Sequence, residues 1–551
     1  MRNSPIILSI NGMTCDSCAA YAKNALEKVL GVGAVEVSYP KGNATLQASN
    51  SVNRDELISA IKSAGYTAEI VPSDSNDDNS PKNYSESSLH IAIIGSGSSA
   101  FACAIKATEG GARATIIEGA DVIGGCCVNV GCVPSKILIR SAQLAEQQRS
   151  NPFDGIENHE LTINRALLTQ QQVTRVEELR EAKYENILKS NKSLTLLKGY
   201  ARFKDINTLL ISMEDDFEQE LHFDKILIAT GSTPSLPPIE GLTETPYWTS
   251  TEALFSENLP KHLIIIGSSV IAVEIAQAYR RLGSDVTLLA RHTLLYAEDP
   301  LLGKRLTSVF ENEGIKVHNH TQASSVNYHE KQFTLQTNVG EIKGNQLLIC
   351  TGRRANTDKL NLDTISIQTS SKGEIKVNQR METNIPNIYA AGDCSNMSQF
   401  VYVAAAAGSR AGTNMTGGNA ELDLSTMPAV IFTDPQVATV GLTEQKANEE
   451  NIETDSRVLD MENVPRALAN FETDGFIKLV TEKKTGRVIG AQILAHEGGE
   501  IIQSAALAIR NKMTVEDLAD QLFPYLTMVE GLKLCAQNFN KDVRELSCCA
   551  G

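Results

Sequence analysis

Six of the eleven cysteines fall in three close pairs: Cys15/Cys18, Cys127/Cys132 and Cys548/Cys549. Paired thiolates can exchange two electrons as a dithiol or bind a soft metal ion. The first pair lies in Gly12-Met13-Thr14-Cys15-Asp16-Ser17-Cys18. A CxxC of this kind serves either redox exchange or metal capture, and two thiolates suit linear coordination. The last pair stands on Leu546-Ser547-Cys548-Cys549-Ala550-Gly551, where vicinal thiols on a terminal tail can swing. Cys103, Cys350, Cys394 and Cys535 are scattered in apolar contexts and are expected to be inert core residues.

The central pair follows a nucleotide-binding pattern. His90-Ile-Ala-Ile-Ile-Gly95-Ser-Gly97-Ser-Ser-Ala100 is an apolar strand running into a GxGxxA turn. Gly95 permits the turn, Gly97 lets backbone approach a pyrophosphate, and Ala100 allows close packing of helix on strand. The next strand ends at Glu118, an acid suited to ribose hydroxyls. A second unit, Leu263-Ile-Ile-Ile-Gly267-Ser-Ser269-Val-Ile-Ala272, has a serine where the central glycine would be. Its following strand leads to Arg291, a cation able to accept a 2′-phosphate, so NADPH is expected over NADH. Between the two units lies Gly124-Gly125-Cys126-Cys127-Val-Asn-Val-Gly131-Cys132-Val-Pro134-Ser-Lys136. A helix starting there would favour thiolate at the pair. Beside a flavin such a dithiol accepts two electrons or passes them on, and Lys136 could place a cation nearby.

From about residue 89 to 551 these motifs, with Ala390-Ala391-Gly392-Asp393-Cys394, resemble the pyridine nucleotide–disulfide oxidoreductases in order and spacing. The resemblance implies a homodimer using FAD and NADPH. It implies that Cys132 contacts the flavin while Cys127 is the outer, exchanging thiol. It also implies that Glu274 pairs with Lys136, that Asp393 meets the ribityl chain, and that Ala201 and Val401 lie along the FAD site. At Cys126 the resemblance leads one to expect threonine. The cysteine is either a small-residue replacement or a competing thiol.

The chain departs from the disulfide-reducing members of that family. They carry a His-Pro-Thr-x-x-Glu segment whose histidine is the acid/base of thiol exchange. Here the segment is Tyr525-Leu526-Thr527-Met528-Val529-Glu530, and a phenol with an unperturbed pKa of about 10 is a poor proton shuttle near neutrality. A metal ion held by thiolates needs no such base. Residues 12–18 resemble heavy-metal-associated domains, a pattern also used for Cu(I). With Tyr525, Cys548/Cys549 and Tyr184, the whole chain resembles the mercury-reducing branch of the family. That branch implies a relay of Hg(II), drawn from solution or small thiols, from Cys15/Cys18 to Cys548/Cys549 of one subunit and then to Cys127/Cys132 of the other. The alternatives are a low-molecular-weight disulfide reductase and a metal-binding protein whose body keeps thiols reduced.

The elements that must position these residues are legible in outline. Strand and helix periodicities before residue 71 follow the order βαββαβ, with a helix over 16–30, and fit a ferredoxin-like module at 1–70. Residues 71–88 are polar, nearly free of aliphatics, and expected to be a flexible linker. The remainder is expected to be α/β: a doubly wound FAD-binding domain in two parts (89–240 and 352–425), a doubly wound NADPH-binding domain (241–351), and an α+β dimerisation domain with the cysteine tail (426–551). Hydrophobic residues make up 42% of 551 and charged ones 21%, which suits folded domains with sizeable cores. A formal charge of −16 and 5% aromatic residues argue against nucleic acid as partner. No apolar run is long enough to span a bilayer, and the N-terminus lacks a secretory pattern, so a cytoplasmic protein is expected.

Overall fold

The structure, a computed structural model, describes residues 5–11, 16–29, 31–38, 43–48, 52–71, 89–213 and 217–541. It divides into two compact units, residues 1–87 and 88–551.

The first unit is the expected βαββαβ module. Its four strands stand in the order Val32–Ser38, Asn43–Ala48, Pro5–Asn11, Thr67–Val71. The helices Asp16–Glu27 and Arg54–Ser63 complete it. Leu8, Ile10, Leu26, Leu46, Leu57 and Ile61 are buried, each contributing about 2 kcal/mol by leaving water. Asn53 caps the second helix by accepting from the Asp55 N–H at 3.0 Å, worth about 1 kcal/mol. The first helix stops at Glu27, short of the expected residue 30, because the chain turns out through Gly31 at φ 91°. Val71 belongs to the last strand rather than to the linker, and the rest of the expected linker lies outside the described residues.

Among the described residues the second unit holds two parallel sheets, three small antiparallel sheets and one five-stranded antiparallel sheet. The first parallel sheet runs Ile388–Ala390, Lys225–Ile228, His90–Ile94, Arg113–Glu118, Leu194–Lys198. The second runs Lys316–His318, Asp285–Leu289, His262–Ile266, Gln346–Ile349. Continuous apolar strands such as Ile91–Ile94 and Leu263–Ile266 suit sheets covered on both faces. The two parallel sheets repeat one another in detail. The His90 Nε2 meets the Thr115 hydroxyl at 2.9 Å and the His262 Nε2 meets that of Thr287 at 2.8 Å, both 25 residues apart. Helix Val401–Met415 crosses helix Ser98–Glu109 closely, because Gly408 and Gly412 leave no Cβ to collide with Ser99 and Cys103 carbonyls. The last sheet is antiparallel, in the order Ala429–Ile431, Gln436–Gly441, Val488–Ala495, Phe476–Glu482, Thr454–Asp460. Helices Gly498–Arg510 and Glu530–Gln537 pack against it.

Candidate redox and dinucleotide sites

The first dinucleotide turn is built as its glycines require. Gly95 has φ 104°, and a Cβ there would stand 2.3 Å from the Ala229 carbonyl oxygen. Gly97 caps helix Ser98–Glu109 without a side chain, so the first N–H groups of the helix stay open to an anion. Ala100 is fully buried. Glu118 is fixed at its strand end by the Ser96 hydroxyl, donating at 2.6 Å, and by the Ala120 N–H at 2.8 Å.

The cysteine turn packs directly on this one. A Cβ on Gly125 (φ 68°) would come within 2.6 Å of the Gly97 Cα, and the Gly124 N–H donates to the Ser96 carbonyl at 3.0 Å. The residues Gly125–Val130 form a short helix, and Cys132 is the first residue of helix Cys132–Arg149. Cys127 and Cys132 are free thiols, both partly buried. The hydrogen bond from Cys127 stabilises a Cys132 thiolate first, with the Lys136 charge adding to it against burial, and the Cys132 thiol is lowered to about 7. Cys127 is correspondingly pushed up, by that hydrogen bond and by burial. Of the two thiols, Cys132 at the start of a helix is thus the one on which an anion is favoured.

Lys136 reaches Glu274 at 2.9 and 3.2 Å, and its ammonium also sits 4.5 Å from the Phe432 ring centroid. The Glu274 carboxylate, almost wholly buried, additionally accepts from the Phe432 N–H at 2.9 Å. Tyr184 stands on a π-helical turn, Glu181–Glu185, which interrupts the helical segment begun by Arg165–Arg180. Its ring meets Phe101 edge-on at 4.9 Å, and its hydroxyl is 3.2 Å from that of Ser98. Burial pushes its phenol up, and the charge of the two nearby thiols adds to that.

Cys126 is exposed, with the Arg353 guanidinium 3.8 Å from its sulfur. Its thiol is pushed up by its surroundings, partly offset by Arg353. Arg353 also donates to the Ser232 hydroxyl at 2.7 Å, which in turn donates to Asp393 at 2.8 Å. Neither Arg353 nor Ser232 was expected from sequence. The signal was there in a repeat: Ala229-Thr-Gly-Ser232 and Cys350-Thr-Gly-Arg353 each follow a parallel strand, and the two tails pair as strands Ser232–Pro234 and Arg353–Ala355. Ala201 is buried in a core shared with Ala92, Ile94 and Ile117 of the first sheet, and Val401 opens helix Val401–Met415, which has no side-chain cap.

The second dinucleotide turn repeats the first. Gly267 has φ 138°, and a Cβ would stand 2.2 Å from the Cys350 carbonyl oxygen. Ser269 caps helix Val270–Arg281 without a side-chain hydrogen bond, and Ala272 is buried. Arg291 is exposed and forms no ion pair among the described residues. Open helix starts, close-packed glycines, an acid after one sheet strand and a free cation after the other fit FAD at the first turn and NADPH at the second.

Tyr525 is 49% exposed in the loop before helix Glu530–Gln537. Cys18 falls in the first turn of helix Asp16–Glu27, but its side chain, with Cys15, Cys548 and Cys549, lies outside the described residues. Cys103, Cys350, Cys394 and Cys535 are buried, as expected. Among the described residues no cluster of three or more His, Cys, Asp or Glu could hold a metal ion, and no helix is long and apolar enough to cross a membrane.

Residues 89–408 match the pyridine nucleotide-disulphide oxidoreductase family and residues 427–536 its dimerisation domain. Residues 7–67 match the heavy-metal-associated domain. A mercuric reductase from Shewanella putrefaciens is 69% identical, covering 99% of this chain and all of that protein. One from Acidithiobacillus ferrooxidans is 55% identical over the full length of both. Among solved structures, an HOCl-induced flavoprotein disulfide reductase from Escherichia coli, in its Cu(II) complex, is 27% identical with a TM-score of 0.74. It is matched over 82% of this chain and 99% of its own. The chain belongs to the pyridine nucleotide-disulphide oxidoreductases, and within them to the mercuric reductases. It is an FAD- and NADPH-dependent oxidoreductase with a dimerisation domain.

Proposed function

We propose that this chain reduces Hg(II) to volatile Hg(0) with electrons from NADPH, detoxifying mercury in the cytoplasm, where small thiols deliver the ion as complexes. The observation that carries the reading is the Cys127/Cys132 pair of free thiols at the start of helix Cys132–Arg149, in a chain with tyrosine at position 525 where a disulfide reductase needs histidine.

Cys15/Cys18 take Hg(II) by ligand exchange and pass it to Cys548/Cys549 at the tail of one subunit. Those thiolates present it to Cys127/Cys132 of the partner subunit. Cys127, the outer thiol, takes the ion first and gives its proton to the departing tail thiolate, and the Cys132 thiolate then displaces the second tail ligand. The ion is never released free, because each new Hg–S bond forms before the old one is lost. Gly95, Gly97, Ala100, Glu118, Cys126, Ala201, Asp393 and Val401 would hold FAD, and Gly267, Ser269, Ala272 and Arg291 would hold NADPH; together the two cofactors would supply the two electrons. Lys136 and Glu274 place a cation beside the flavin and the thiolate. Tyr184 and Tyr525 hold the ion or assist its transfer. Two electrons convert the bis-thiolate complex to Hg(0) and two thiolates.

The test is to follow NADPH oxidation and mercury vapour together. One NADPH consumed per mercury atom released is expected. Oxidised glutathione should produce no comparable oxidation. NADPH oxidation without vapour would sink the reading. Replacing Cys548 and Cys549 by alanine should cripple turnover of strongly chelated Hg(II) while NADPH still reduces the flavin.

A further inference from the structure

Helix Val270–Arg281 begins at the second dinucleotide turn and carries Glu274. On the same face, one and two turns further on, stand Gln277 and Arg281. Both are buried, at 3% and 7% exposure, and both grip one short segment of the dimerisation domain. The Gln277 Oε1 accepts from the Asp434 N–H at 2.8 Å, while its Nε2 donates to the Asp434 carbonyl at 2.7 Å and to Glu313 at 2.8 Å. Every polar hydrogen of that amide is used. Arg281 donates to the Asp434 carboxylate at 2.8 Å and to both Glu313 oxygens at 2.7 and 3.0 Å. Two residues before Asp434 comes Phe432. Its N–H donates to Glu274 and its ring lies against the Lys136 ammonium, so it touches both members of the ion pair.

We infer that Gln277 is a positioning residue for flavin reduction: its grip on the Asp434 backbone fixes Phe432, and Phe432 fixes the Lys136–Glu274 pair. The side chain of Lys136 is long and has many rotamers. Glu274 alone would not hold it in one place, and without the Phe432 N–H the buried Glu274 Oε1 would keep only its longer, 3.2 Å contact to Lys136. The bidentate contact reads backbone atoms, so the register of segment 432–434, not the side chain of Asp434, is what Gln277 controls. The inference rests on the reading of the chain as a flavin-dependent reductase.

In the full-length FAD-loaded protein, Gln277→Met removes three hydrogen bonds with little change of volume. It should slow flavin reduction by NADPH about tenfold in stopped flow, as small misplacements near reacting groups do. The KM for NADPH should stay within about twofold, since the 2′-phosphate cation is untouched. The visible flavin spectrum should shift, and amide exchange at residues 432–434 should rise. Asp434→Asn keeps the backbone groups that Gln277 reads, so flavin reduction should stay within about twofold of the parent. Unchanged flavin reduction in Gln277→Met, or equal slowing in Asp434→Asn, would overturn the inference. If Gln277→Met does not fold, Gln277→Glu keeps the acceptor for the Asp434 N–H and loses the donors. A parent-like rate in that variant would overturn the inference as well. A parent protein whose flavin NADPH cannot reduce would defeat the functional reading instead.

Discussion

The reactivity of the central pair comes down to where one proton sits. Cys132 ionises more easily than a free thiol because Cys127 donates to it and Lys136 stands near, and Cys127 is harder to ionise because it makes that donation and is partly buried. A depressed thiol favours the folded anion, so this stabilisation is present at high pH and is lost as pH falls through about 7. A thiolate absorbance titration of the reduced protein should therefore show one step near pH 7 that disappears in Cys132→Ser. Lys136→Met should move that step to higher pH and lower the thiolate fraction at neutrality several-fold. An unmoved step would mean that Cys127 alone sets the ionisation. The cysteines, glycines, Glu118 and Arg291 could all be picked out by type and spacing. Ser232 and Arg353 could not be singled out as readily, because a serine and an arginine after two strands become a pair only when the strands of two separate segments meet.

At the scale of elements, strand–turn–helix units were legible because apolar runs, glycines and helix starts are all local. Their geometry makes a sharp demand: Gly95→Ala puts a Cβ at positive φ and 2.3 Å from the Ala229 carbonyl oxygen. That substitution should cost about 1–3 kcal/mol or more, read as a lower melting temperature together with loss of bound FAD. A variant that melts and binds FAD like the parent would show that the turn relaxes freely. The π-turn Glu181–Glu185 was not legible. It adds one residue to a helical turn, and what favours it is the seating of Tyr184 on Phe101 and beside Ser98, contacts distant in sequence.

For the whole molecule, the change from polar residues after Val71 to apolar strand at His90 marked the division into two units, each with its own core. Deleting residues 1–87 should leave the melting temperature of the remainder within about 2 °C by calorimetry, since no core residue of the body is lost. A larger drop would show that the first unit supports the second. The order of the domains was legible because the two dinucleotide turns punctuate it. The clamp between Gln277 and Asp434 was not, because it joins a helix to a segment far along the chain through backbone atoms that carry no sequence signature.

A protein that handles a thiol-seeking ion must also survive it. Cys103, Cys350 and Cys535 are pushed up to about 12 by burial, and Cys394 is raised in the same way. Closed off from solvent and protonated, these four offer no sulfur to a stray mercuric ion. Native protein titrated with a thiol reagent should leave all four silent until it is denatured, and rapid labelling of any one would refute the protection. The bland interior cysteines are then a form of immunity: the enzyme keeps these four sulfurs, unlike that of the exposed Cys126, out of its own substrate's reach.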